Sequence, residues 1–178
     1  MRFLETPLDG AWVLEPERRG DERGWFARTY DADVFAERGL PALGVQCNAS
    51  FNAKRDTLRG MHYQRDPDGE PKLVRCSSGA VWDVAVDLRR GSPSYLRWFG
   101  VELSPASGRG FFIPTGCAHG FQTLTEDCEL QYMMGHRYVP GAATGVRWDD
   151  PAFGIEWPAP SGERTMTERD RTWPDFTA

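Results

Sequence analysis

One short window, Leu58 to Cys76 (LRGMHYQRDPDGEPKLVRC), places Arg59, His62, Gln64 and Lys72 between two apolar runs. The chain has only three histidines, so the setting of each is informative. His62 stands in a strand-like run bounded by polar turns, and His119 lies in a second such setting, IPTGCAHGFQ. A base, a cation and a second imidazole, each on or beside a strand, are the parts needed to take a proton and steady the resulting anion. The third histidine, His136, sits among Tyr132, Arg137 and Tyr138 and carries less weight. Taken singly, each residue also has a plain structural reading: His62 as a strand histidine, Lys72 as a solvated cation, Tyr132 as core or interface, Asp170 as a local cap.

The totals bound the answer. At 178 residues the chain fits one domain, residues 1–178, large enough to bury a core without staples. A net charge of -5 gives no basic footprint for nucleic acid, although Arg59, Lys72 and Arg75 are close enough to form a basic pocket. Cys47, Cys76, Cys117 and Cys128 lack CxxC spacing and stand in strand-like contexts, which reads as buried free thiols. The N-terminus, MRFLETPLDG, has no apolar leader, and no stretch is long and apolar enough for a membrane span. The expectation is a cytoplasmic protein with neither nucleic acid nor membrane as partner. Seven tryptophans and ten phenylalanines favour broad sheet faces or a sizeable subunit interface.

The elements that must position these residues are mostly strands. Ala11–Glu15 opens the series, Pro16–Gly24 reads as a polar loop, and Trp25–Tyr30 alternates loosely. Asp31 caps a helix over Asp31–Arg38 that stops at Gly39. In Gly44–Phe51 the residues Gln46, Asn48 and Ser50 share one face. Further strands follow from Leu58, then at Lys72–Cys76, Ala80–Leu88, Trp98–Leu103, Gly110–Ile113, His119–Leu124 and Glu129–Tyr138. Within VWDVAVDL, strict alternation sets Val81, Asp83, Ala85 and Asp87 on one face. Short strands punctuated by Gly and Pro argue for an all-β sandwich or barrel. Near the C-terminus, Thr167 can cap a short helix, with Asp170 as its capping-box analogue.

Read in order, DERGWF (21–26), VQCN (45–48), LRGMHYQ (58–64), KLVRC (72–76), VWDVAVDLRRGSPSY (81–95), IPTGCAHGFQTL (113–124), QYMMGHRYVP (131–140) and RWDDPAFGIEWP (147–158) resemble the dTDP-4-dehydrorhamnose 3,5-epimerase family across essentially the whole chain. The resemblance implies an all-β, double-stranded β-helix (cupin, jelly-roll) fold with short peripheral helices. It implies a cofactor-independent homodimer acting on a nucleotide-linked 4-keto-6-deoxyhexose. The catalytic residues would be His62 as base, Asp170 as its hydrogen-bonded carboxylate, Lys72 beside the enolate, and Tyr132 as acid on the opposite face. Arg59 resembles a pyrophosphate ligand and His119 an active-site contact. Arg23, Phe26, Gln46, Asn48, Tyr138 and Arg169 resemble the substrate shell, with the DERGWF segment supplied by the partner subunit.

Such chemistry needs these types of residue. A neutral imidazole removes a proton beside a ketone only where the enolate oxygen meets a fixed positive charge in a partly dry site. The 4-keto group acidifies both neighbouring carbons, so the reaction calls for neither metal nor redox cofactor. His62-Tyr63-Gln64 also lacks the HxH pair of metal-binding cupins. Three features depart from the family pattern: Arg28 stands where glutamate is usual, Thr144 replaces another glutamate, and the turn FNAKRDT is one residue longer. Arg28, placed to meet the nucleotide base, leaves open a TDP-, CDP- or GDP-linked sugar, and a C3-only epimerase is the nearest alternative. A binding cupin without catalysis is the other, although binding alone requires no acid and base on opposed faces.

Overall fold

The structure, a computed structural model, describes residues 1–177. The strands are β1 (Arg2–Glu5), β2 (Trp12–Glu15), β3 (Arg19–Asp21), β4 (Gly24–Phe26), β5 (Gln46–Asn52), β6 (Leu58–Gln64) and β7 (Lys72–Ser78). They continue with β8 (Val81–Asp87), β9 (Trp98–Leu103), β10 (Gly110–Ile113), β11 (Cys117–Thr123), β12 (Cys128–Met134) and β13 (Ala143–Gly145), and the helices are α1 (Ala32–Glu37) and α2 (Glu168–Arg171). One sheet has six strands in the order β1-β2-β10-β7-β12-β5, and a second has five in the order β13-β6-β11-β8-β9. Neighbours pair antiparallel throughout, which gives the two facing sheets of a double-stranded β-helix.

Alternation along β8 shows how the sequence builds this. Val81 and Ala85 join the core between the sheets, with Val74, Phe111, Ile113 and Leu130. Val84 and Val86 face the other way, where Phe153 and, partly buried, Ile155, Trp157 and Phe176 cover them. The C-terminal segment is therefore a third layer over the five-stranded sheet. Each such side chain contributes about 1.5–3 kcal/mol by leaving water. A third cluster seats α1 on the outer face of the six-stranded sheet through Phe35, Leu73 and Phe112. Asp31 caps α1 as expected, accepting from the backbone of Asp33 and Val34.

Several boundaries differ from the sequence reading. The polar loop over 16–24 contains β3, which pairs with β4 as a two-stranded ribbon apart from both sheets. Strand β1, absent from the sequence expectation, pairs with β2 through the short run RFLE, which is mostly exposed and carries no alternation. The strand expected to reach Tyr138 ends at Met134, and residues 143–145 add β13 along β6. Cys76, Cys117 and Cys128 are buried free thiols, but Cys47 is exposed on edge strand β5. Burial holds the Cys76 thiol up at about 11 and the Cys117 thiol up at about 12.

Asp87 ends β8 with no exposed surface. Its carboxylate accepts from Arg89 (2.8 and 2.9 Å), Ser92 (2.5 Å) and Ser94 (2.6 Å). Burial alone would raise its pKa, but these bonds overcome it and lower the value from 3.8 to about 2. The stabilisation is complete above the unfolded value and disappears as pH falls from 3.8 towards about 2. Asp87→Asn is expected to cost about 3 kcal/mol at neutral pH and to flatten the acid limb of the stability curve, as measured by urea unfolding across pH. An unchanged acid limb would show that other carboxylates govern it.

Candidate active site

The lumen between the sheets opens into a cleft of about 270 Å³ lined by Asn48, Arg59, His62, Glu70, Lys72, His119 and Tyr132, among others. Strands β6 and β11 of the five-stranded sheet supply Arg59, His62 and His119. Strands β7, β12 and β5 of the six-stranded sheet supply Lys72, Tyr132 and Asn48. The proposed base and the proposed acid thus project from opposite walls.

The His62 wall is built on a close approach of backbones. His62 and His119 are direct cross-strand partners, and the register shifts immediately after them, between His119 and Phe121. Gly60 lies there at φ +144°, and a Cβ on it would come within 2.6 Å of the Gly120 Cα. Only glycine fits both demands. With its backbone N–H, Gly60 also donates to Asp170 Oδ2 (3.4 Å), while Asp170 Oδ1 lies 2.7 Å from His62 Nε2. Asp170 is buried on α2; burial raises its pKa, but His62, Gly60 and Thr167 together hold it below the usual carboxylate range. An ionised carboxylate only accepts, so His62 Nε2 carries the proton in this bond, and in the neutral tautomer the lone pair lies on Nδ1. Thr167 does cap α2, but Asp170 completes no capping box: its side chain turns away to the histidine.

A second histidine–carboxylate pair forms the next strand pair over. His119 Nε2 shares a 2.8 Å hydrogen bond with Asp83 Oδ1, and both residues are buried. Burial raises the Asp83 pKa against the pull of His119 and Lys72, and Asp83 Oδ2 has no hydrogen-bond partner. Tyr132 meets His119 edge-on, with centroids 6.1 Å apart. Burial, then the charge of Asp83, push the Tyr132 phenol well above its ordinary value, so it stays protonated. Lys72 Nζ donates to Glu70 Oε1 at 2.9 Å, and both side chains are largely withdrawn from solvent. Arg59 is fixed by Nε donating to Asn52 Oδ1 (2.7 Å). Among the described residues, no three His, Cys, Asp or Glu side chains converge as metal ligands do.

The other expected site residues divide into two sets. Gln46 and Asn48 do share a face, joined by a 3.3 Å hydrogen bond, and Gln46 accepts from Tyr138 N–H at 3.1 Å. Arg169 lies over Trp173 beside an adjoining cleft of about 430 Å³ that shares Arg59 and His62. Arg23, Phe26 and Arg28 lie away from the cleft. Arg23 and Phe26 ride on the β3–β4 ribbon, Arg23 paired with Asp21 and Phe26 71% exposed. Arg28 pairs with the α1 cap Asp31 at 2.5 Å. Gln64 proves structural, tying Val139 N–H to the carbonyls of Asp68 and Arg137. Arg75 leaves the expected basic cluster, since it faces the outer side of its sheet with Cys47 and Gln131. Thr144 sits on β13 opposite Tyr63. Sequence reasoning missed Asp83, Glu70 and Asn52; the alternation of β8 and the Glu70-x-Lys72 spacing were the available signals for the first two.

Fold and lumen together define a cupin-type enzyme that moves protons at carbon. The chain matches the dTDP-4-dehydrorhamnose 3,5-epimerase family model over residues 5–178, and it belongs to that family. A dTDP-4-dehydrorhamnose 3,5-epimerase of Methanothermobacter thermautotrophicus is 46% identical over 97% of this chain and 92% of its own. The crystal structure of an Elizabethkingia anophelis dTDP-4-dehydrorhamnose 3,5-epimerase superposes with a TM-score of 0.95 at 36% identity, covering 99% of this chain and 96% of that one. A Bacillus anthracis dTDP-4-dehydrorhamnose 3,5-epimerase with TDP and PPi bound gives a TM-score of 0.92 at 35% identity, covering 98% and 99%.

The close approach of β6 and β11 generates a direct test. Gly60→Ala would drive a Cβ into Gly120 at a φ that L residues rarely adopt. A loss of about 3 kcal/mol or more in thermal or urea unfolding is expected, with activity falling in the folded fraction as His62 shifts. A stable, fully active variant would refute this account of the wall.

Proposed function

We propose that the protein inverts C3 and C5 of dTDP-4-dehydro-6-deoxy-D-glucose, giving dTDP-4-dehydro-L-rhamnose by proton removal and return through an enolate. The observation that carries the reading is the opposition of the His62–Asp170 pair on one wall to Lys72 and Tyr132 on the other.

His62 takes the proton from the carbon beside the C4 ketone through Nδ1, while Asp170 steadies the imidazolium that forms. Charge collects on the C4 oxygen, where the Lys72 ammonium stabilises it more strongly than water would in a largely dry lumen. The Tyr132 phenol, kept un-ionised by burial, then protonates the carbon from the opposite face. The new C–H bond takes the electron pair that the enolate held, and the carbonyl re-forms. The phenolate and imidazolium return to their starting states by net transfer of one proton, so each inversion is redox-neutral. Arg59, anchored by Asn52, suits the geometry of a diphosphate, which would hold the sugar while the carbon acid is worked on.

A homodimer completes the site in this reading. Arg23 and Phe26 stand on an exposed ribbon remote from their own cleft, and exposed Trp25 beside Phe26 leaves an apolar surface suited to a second copy. Free cysteines fit a reducing, cytoplasmic setting. Arg28, paired with Asp31 through Nη1 just after this ribbon, keeps most of its side chain exposed and able to meet the nucleotide.

The experiment is proton NMR of the substrate in D2O, following deuterium wash-in at C3 and C5. Exchange at both positions with L-sugar formation is expected; exchange at C3 alone would replace the reading with a 3-epimerase, and none would reject it. His62→Asn is expected to lower kcat by about 10³-fold or more while dTDP affinity stays within a few-fold. Tyr132→Phe should keep wash-in from the His62 face yet lose inversion, a split that a purely packing role for Tyr132 would not produce.

A further inference from the structure

The reaction depends on a carboxylate, Asp170, that arrives on a four-residue helix far from the sheets in sequence. Something must hold that helix at the back of His62. The segment leading into it is held by Gln122, which bonds Arg164 and the Pro158 carbonyl, and most extensively by Asp56, which lies at the entry to β6.

Asp56 is buried and adopts φ 60°, a left-handed conformation that Asp and Asn tolerate better than other side chains. Its Oδ2 accepts from Ser161 N–H (2.9 Å) and Ser161 Oγ (2.5 Å), and its Oδ1 accepts from Gln122 Nε2 (3.2 Å). The backbone repeats the attachment. Thr165 N–H donates to the Asp56 carbonyl and Leu58 N–H to the Thr165 carbonyl, both at 3.0 Å, while Asp56 N–H donates to Thr123 in β11. Thr57 and Thr165 form a parallel bridge. From Thr165 the chain runs through Met166 directly into the Thr167 cap of α2 and on to Asp170. One residue thus joins the strand carrying His62, the strand carrying His119 and the segment carrying Asp170.

We propose that Asp56 is a positioning residue for the reaction, setting the distance and angle at which Asp170 meets His62. The proposal rests on the reading of His62 as the base. Asp56 does not touch the cleft; its effect passes through the 161–165 segment. The charged groups facing Asp56 are Arg55, at 4.0 Å, and Arg164, held on Gln122. The titratable and charged groups facing His62 are Asp170 behind it and Arg59, Glu70, Lys72, His119, Tyr132 and Arg169 around the two clefts. None of these is altered by a substitution at 56, so a change in His62 would report its geometry with Asp170.

The test compares Asp56→Asn, which keeps the backbone preference but turns one acceptor into a donor, with Ser161→Ala, which deletes only the 2.5 Å bond. Asp170→Asn serves as the reference for a severed pair. For Asp56→Asn, kcat is expected to fall about tenfold with KM within about twofold, and Ser161→Ala should move the same way by less. Long-range 1H–15N spectra of His62 should change from one Nε2–H tautomer to a mixture approaching that of Asp170→Asn. Unaltered His62 spectra alongside a lowered Tm would overturn the proposal and leave Asp56 a packing residue. If Asp56→Asn does not fold, Ser161→Ala decides by the same criteria. Should the unaltered protein fail to exchange sugar protons, the function falls on its own evidence, and the His62 spectra still decide the role of Asp56.

Discussion

The hydrogen bond between His62 and Asp170 closes a separation of 108 residues and is the constraint around which the chain is arranged. Asp170 is nearly inaccessible, and a carboxylate in that position would protonate unless its partners repaid the lost hydration. Three do so: the imidazole, the Gly60 N–H and the Thr167 cap. Each fixes something else in turn. Gly60 requires Gly120 opposite it, since neither position has room for a Cβ, and the β6–β11 register shifts at this close approach. Thr167 requires α2, and α2 requires the covering layer over the five-stranded sheet. That layer is fastened by Asp56 at one end and, at the other, by Asp150 accepting from Phe176 N–H at 2.7 Å.

Much of this was legible in the sequence because period two separates lumen from covering layer cleanly. β8 is the clearest case, and Gln46 with Asn48 is another. His62 and Lys72 stood out by residue type and setting, but Tyr132, Asp170 and the role of each of the four came through resemblance, because their own local signals are ambiguous. Asp170 reads locally as a cap, and only tertiary structure turns its side chain to a histidine. The ribbon β3–β4 escaped for a different reason. Its residues, RGD and GWF, are exposed throughout, so no buried face imposes a pattern on them. Arg75 was misplaced in the basic cluster because proximity in sequence was weighed above strand alternation, which sends Lys72 and Arg75 to opposite faces.

Glu70 raises a physical question that the resemblance did not. Its carboxylate lies 2.9 Å from the one lysine of the cleft, where it offsets part of the charge available to an enolate. The same bond, however, fixes an otherwise flexible four-carbon chain at the lumen wall. Preorganisation of a charge is what makes it effective in a transition state, since no reorientation is left to perform when the oxyanion forms. A pinned ammonium of reduced net field can therefore serve better than a freer one, provided that the enolate oxygen approaches from the side opposite Glu70.

The two histidine–carboxylate pairs, side by side on adjacent strands, show how the lumen distinguishes like from like. Asp170 has three hydrogen-bond partners and is held ionised; Asp83 has one, and burial pushes it towards the neutral acid. An anion behind His62 favours the imidazolium that proton abstraction creates. A second anion beside Lys72 and Tyr132 would instead repel the enolate as it forms. Burial that disfavours the charge on Asp83 lessens that repulsion while the hydrogen bond keeps His119 oriented, and Tyr132 is kept un-ionised chiefly by its own burial. Environment, rather than residue type, thus separates the two pairs, and it is the one with the ionised carboxylate that suits the base chemistry proposed for His62.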